Sequence, residues 1–115
     1  MSPSAQTKIL PRDFDLDLMI ENAFEASEFL KALAHEARLV ILCLLLDGEK
    51  SVTEIEQMLS LRQPAVSQQL ARLRADDLVE TRRDGKNIYY SLARPEVREI
   101  IAALHEAFCR PTRSR

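Results

Sequence analysis

Six polar side chains and two thiols are the groups through which this sequence could do chemistry. Gln63, Ser67, Gln68 and Arg72 follow one another at short intervals, and Arg83 and Lys86 come soon after. Amides and hydroxyls both donate and accept, which suits the edges of base pairs in a major groove. Guanidinium and ammonium groups suit phosphate oxygens. We assign Ser67 and Gln68 to base edges and Arg72, Arg83 and Lys86 mainly to phosphates, with Gln63 at the mouth of the same helix. Cys43 and Cys109 supply the sulfur. Taken alone, Cys43 reads as a core thiol, because free cysteine is among the most buried residue types. Cys109 stands beside Arg110 and near Arg113, whose charge favours thiolate, while the end of a helix opposes it. His105, one turn before Cys109, reads first as a surface or interface histidine and second as a group that tunes the thiol or shares a metal with it. No glycine-rich phosphate loop and no Ser/His/Asp or Cys/His constellation is present, so no enzymatic reading arises.

These groups need elements to position them. From Ser51 to Arg74 the chain reads as two short helices and a tight turn. Val52, Ile55, Met58 and Leu59 recur at helical spacing, then Val66, Leu70 and Leu73. Pro64 fits the first turn of a helix and not its interior, so the second helix starts near it. That is a helix-turn-helix, with the second helix reading DNA. Leu78–Arg82 and Asn87–Leu92 read as strands around a hairpin turn, Arg83–Lys86, that carries an Asp-Gly signal. A basic hairpin after a reading helix is a wing. Before the motif, Phe14–Leu33 predicts a helix with an apolar stripe through Leu16, Met19, Ile20, Phe24, Leu30 and Leu33. A second helix from Glu36 to Gly48 is apolar nearly all round between Leu39 and Leu46, so it belongs in the centre. His35 precedes it as a cap or boundary residue. Pro95 opens a last helix to Cys109 with the stripe Val97, Ile100, Ile101, Leu104 and Phe108. The first and last helices carry more apolar surface than so small a domain needs, which predicts a two-fold homodimer. The fold class is thus mainly α: a winged helix-turn-helix of about five helices and a two-stranded wing. Residues 1–13 read as a disordered tail, 14–109 as the domain and 110–115 as a loose tail.

The net charge of −2 argues against a nucleic-acid binder until its distribution is considered. Residues 1–61 hold five bases and eleven acids, net −6, whereas residues 62–94 hold seven bases and four acids, net +3. Positive charge is concentrated where the reading helix and wing lie, and phosphate contact depends on that local patch. No apolar run is long enough to span a membrane, and no signal peptide is visible. The expected compartment is the cytoplasm, where both cysteines rest as thiols. No cofactor is implied.

The run from ALAHEARLVILCLLLDGEKSVTEIEQMLSLRQPAVSQQLARLRADDLVE to TRRDGKNIYYSL resembles the ArsR (arsenic-repressor) family of bacterial winged-helix repressors, over roughly residues 28–109. The resemblance implies a homodimer that binds a palindromic operator and leaves it when an inducer arrives. Metal-sensing members often place two cysteines after a Gly-Glu; Ser51 and Thr53 hold those places here, and hydroxyls are poor ligands for soft metals. Another family site uses Asp, His and Glu along the last helix, where this chain offers only His105 with Glu96, Glu99 and Glu106. One cysteine in the second helix and one at the end of the last is the pattern of the sulfide-responsive branch of BigR- and SqrR-type repressors. That likeness implies that Cys43 and Cys109 react with persulfides, form a disulfide or polysulfide bridge and release DNA, switching on sulfide-detoxifying genes. The alternative is a metal-responsive repressor that uses Cys109, His105 and carboxylates.

Overall fold

The computed structural model describes residues 15–60 and 63–109, with Gln63 and Pro64 described by their backbone only. Both terminal tails, Phe14, Arg62, Arg110 and Arg113 lie outside the described residues. Five helices and three strands follow in the order α1 (Leu16–Leu33), α2 (Glu36–Leu44), β1 (Lys50–Ser51), α3 (Val52–Leu59), α4 (Gln63–Ala75), β2 (Val79–Asp84), β3 (Asn87–Leu92) and α5 (Pro95–Cys109). The chain divides into two compact units, residues 1–30 and 31–115, so α1 contributes only its last turn to the second unit.

The second unit is a winged helix-turn-helix. Its core is aliphatic: Leu33, Ile41, Leu42, Leu45, Ile55, Val66, Leu70, Leu73, Leu78, Val97 and Ile101 are buried, and among the described residues no polar residue is. The three apolar positions of α4 sit on one face, and all three are fully enclosed. Burying each such side chain contributes about 1.5–3 kcal/mol.

Helix ends follow local chemistry. Ser51 caps α3 through a capping box: its hydroxyl accepts from the Glu54 N–H at 3.2 Å, and the Glu54 carboxylate accepts from the Ser51 N–H at 2.8 Å. Helix α4 stops where Asp77 turns left-handed (φ 60°) and the Leu78 N–H returns to the Leu73 carbonyl at 2.9 Å. Helix α2 runs into a 3-10 turn at Leu45–Asp47 and ends at Gly48, whose φ of 141° suits only glycine.

Several expectations need correction. The wing is not a lone hairpin: β1 pairs with β3, Lys50 opposite Tyr90 and Ser51 opposite Tyr89, giving a three-stranded antiparallel sheet in the order β1-β3-β2. Two residues are too short a strand for periodicity to reveal. Pairing in the hairpin continues through Arg83–Ile88 and Asp84–Asn87, so the turn is Gly85-Lys86 rather than four residues. Gly85 takes φ 65° at the first central position, as a type II′ turn requires. Val40 is 45% and Met58 54% exposed, so α2 is not apolar-packed all round and Met58 does not share the burial of Ile55.

In the first unit the apolar stripe of α1 is open. Leu16, Met19, Ile20, Phe24 and Leu30 are all exposed, Phe24 at 75%.

Candidate nucleic-acid interface and thiol pair

The reading helix presents its polar residues unevenly. With Val66, Leu70 and Leu73 turned inward, Ala65, Gln68 and Arg72 face out, while Ser67 is only half-buried at the flank. Gln63 is the first residue of α4. Arg72 pairs loosely with Asp76 one turn on, Nε to Oδ2 3.6 Å, and its side chain stays 64% exposed. A pair so exposed yields readily to a phosphate.

The wing separates its cations by task. Arg83 is the next-to-last residue of β2 and Lys86 lies in the turn; both are exposed, and neither makes an ion pair among the described residues. Arg82 is different. Its Nε donates to both Glu49 oxygens at 3.1 Å, its Nη2 also bonds Glu49, and its guanidinium lies 4.9 Å from the Tyr89 ring centroid. The ion pair holds the Glu49 carboxyl below the usual glutamate range, chiefly through the hydrogen bond from Arg82. Arg82 therefore anchors the wing to the residue before β1 instead of reaching outward. Nothing local in the sequence distinguishes Arg82 from Arg83, because the partner is remote in the chain.

A second long-range contact also escaped sequence reasoning. The Arg38 guanidinium donates from Nε to Gln69 Oε1 at 3.2 Å and from Nη1 to the Ala32 carbonyl at 2.7 Å. It thus joins α2, α4 and the last turn of α1.

The thiols lie on helices that touch. Helix α2 packs against α5, and Arg98 of α5 donates to the Leu46 carbonyl in the turn that follows α2. Cys43 is half-buried and Cys109 exposed; both are free. Burial pushes the Cys43 thiol up from its ordinary value, and negative charge on Cys109 pushes it further. The two thiols therefore sit on helices in contact with one another. His105 is exposed on the same helix as Cys109. Among the described residues no three His, Cys, Asp or Glu side chains are grouped to hold a metal ion. His35 takes the N-cap position of α2 by its extended backbone but makes no side-chain capping bond.

Residues 35–81, which hold α2 and the helix-turn-helix, match the family described as "Bacterial regulatory protein, arsR family". The biofilm growth-associated repressor of Agrobacterium fabrum is 46% identical over 99 residues, covering 86% of this chain and 85% of that protein. The chain belongs to the ArsR family. Other members bear on fold and sequence alike. The transcriptional activator HlyU of Vibrio cholerae is 46% identical over 95 residues, 83% of this chain and 88% of its own. The solved structure of the transcriptional repressor BigR from Xylella fastidiosa superposes with a TM-score of 0.76 at 41% identity, covering 84% of this chain and 98% of that one. This ArsR-family protein is a transcriptional regulator with a winged-helix fold, not an enzyme. No helix among its described residues is long and apolar enough to cross a membrane.

Proposed function

We propose that this ArsR-family protein is a cytoplasmic homodimeric repressor whose operator grip is broken when reactive sulfur species link Cys43 to Cys109. The observation that carries the reading is the packing of α2, which bears Cys43, against α5, which bears Cys109. The Agrobacterium and Xylella relatives are named repressors, which favours repression, while the equally identical HlyU of Vibrio cholerae is named an activator. The bared stripe of α1, together with Phe108 of α5 at 69% exposure, supports pairing with a second copy. A two-fold dimer sets its reading helices about 34 Å apart and selects a palindrome. Gln68 and Ser67 would then read base edges, with Gln63 beside them, while Arg72, Arg83 and Lys86 hold phosphates.

The chemistry balances without a further oxidant. Exposed Cys109, as thiolate, attacks the outer sulfur of a persulfide RSSH; the S–S bond breaks, RS⁻ leaves and takes a proton, and Cys109 becomes a persulfide. The Cys43 thiolate attacks the Cys109 sulfur and expels HS⁻. Two thiols are oxidised, the transferred sulfur is reduced to H2S, and a disulfide remains. Each additional bridging sulfur consumes one more RSSH and releases one more RSH. Burial, which pushes the Cys43 thiol up from its ordinary value and so leaves less of it as thiolate, makes Cys43 the slower, second nucleophile. A bridge would shift α5 against α2, and α2 also packs on α4. A coupling of about 1–3 kcal/mol gives a 5–150-fold change in DNA affinity. Derepressed genes would then be those that detoxify sulfide.

Cys43→Ser and Cys109→Ser test this. Each variant should bind operator DNA as the wild type does and lose its release by persulfide. Release that persists in both single variants refutes the dithiol switch.

A further inference from the structure

We infer that Arg38 is a positioning residue that sets the roll of the reading helix α4, through Gln69, without touching DNA itself. The inference rests on α4 being the DNA-reading helix, and not on the thiol chemistry.

Three observations carry it. Helix α4 is otherwise held by Val66, Leu70 and Leu73, all fully buried. Apolar contact is non-directional, so it fixes which face is inward but only loosely fixes rotation about the helix axis. Among the described residues, the directional side-chain contact from α4 to another element is the bond from Arg38 Nε to Gln69 Oε1 at 3.2 Å, on a half-buried glutamine that flanks the inward stripe. Arg38 is itself fixed from behind: its Nη1 donates at 2.7 Å to the Ala32 carbonyl, in the last turn of α1. Carbonyls there have no partner within their own helix, so the guanidinium meets a real need. One planar fork therefore ties α4 to a rigid helix end, with charge-assisted bonds that are stronger than neutral ones.

The consequence falls on the next residue. Gln68 is exposed and adjacent to Gln69, and Arg72 is one turn on. A hydrogen bond to a base edge weakens steeply with misalignment. If α4 rolls, Gln68 loses its alignment with a base edge although it is not itself altered, while the long Arg72 side chain can still follow a phosphate. Lysine cannot replace the fork: it keeps the charge but not two donors in one fixed plane.

The variants Arg38→Lys and Gln69→Leu, and the two combined, test the inference in the full chain. The probes are a duplex enriched by the wild-type protein from a random-sequence pool and a random duplex of equal length. Each single variant should bind the enriched duplex about tenfold more weakly, and the double variant should lose no more than the worse single one. Affinity for the random duplex and the salt dependence should stay at wild-type values, since those report phosphate charge. In the free protein, amide hydrogens of residues 63–75 should exchange faster in both single variants, while those of α5 stay unchanged. Wild-type affinity in Arg38→Lys, additive losses in the double variant, or equal losses on both duplexes would overturn the inference. A wild-type protein that enriches no sequence would refute the reading of α4 as a base-reading helix, and the exchange rates would still decide whether Arg38 holds it.

Discussion

Replacing the two neighbouring arginines of the wing one at a time separates anchoring from DNA contact. Arg83 is exposed and makes no ion pair among the described residues, whereas Arg82 is bound by both oxygens of Glu49 and stacked near Tyr89. If Arg83 neutralises one phosphate in each subunit of a dimer, Arg83→Ala removes two contacts. The slope of log K against log salt then becomes shallower by about 1.8, at about 0.9 per phosphate. If the electrostatic contribution vanishes near ~1 M salt, the loss at ~0.15 M is a factor of about thirty. Lys86→Ala should behave the same way. Arg82→Ala should weaken binding by loosening the wing while leaving the slope at its wild-type value. Fluorescence anisotropy titrations of an operator duplex over a series of salt concentrations read both quantities. An unchanged slope in Arg83→Ala refutes the phosphate assignment, and an equally shallow slope in Arg82→Ala refutes the anchor.

Two further outcomes follow from burial and charge. Cys43 should alkylate only at higher pH than an ordinary thiol, and Cys109→Ser should move that profile down without normalising it, because burial is the larger cause; pH-resolved iodoacetamide labelling of the Cys43 peptide checks this, and an unmoved profile would place the sulfurs apart. Leu70 is fully buried between the helices of the motif, so Leu70→Ala should cost about 2–5 kcal/mol in a urea titration, and a loss under about 1 kcal/mol would contradict the packing described.

Much of this fold was legible because it is written locally. Spacing alone placed Val66, Leu70 and Leu73 on one inward face, and Pro64 marked the start of α4, which begins one residue earlier at Gln63. Asp-Gly marked the hairpin, although the strand carries Asp84 and the turn falls one residue later. What escaped was contact between remote residues. Lys50-Ser51 becomes a strand only because Tyr89 and Tyr90 lie beside it. Arg82 differs from Arg83 only because Glu49 is there, and Arg38 matters only because Gln69 and Ala32 are. Met58 fits a helical stripe by spacing and Val40 an all-round apolar run, yet about half of each stays uncovered. The cysteine pair lies between these cases: its two helices were legible, while the contact between them required the packing of α2 on α5.

The most direct test of the switch is intact-mass measurement of the protein after exposure to a small alkyl persulfide, with a DNA titration on the same sample. The expected result is a monomer that has lost two hydrogens, with or without added bridging sulfurs. Proteolytic mapping should join Cys43 to Cys109, and operator affinity should fall in proportion to the bridged fraction. Bridged protein that binds DNA as tightly as the reduced form, or affinity lost with both thiols still free, contradicts it.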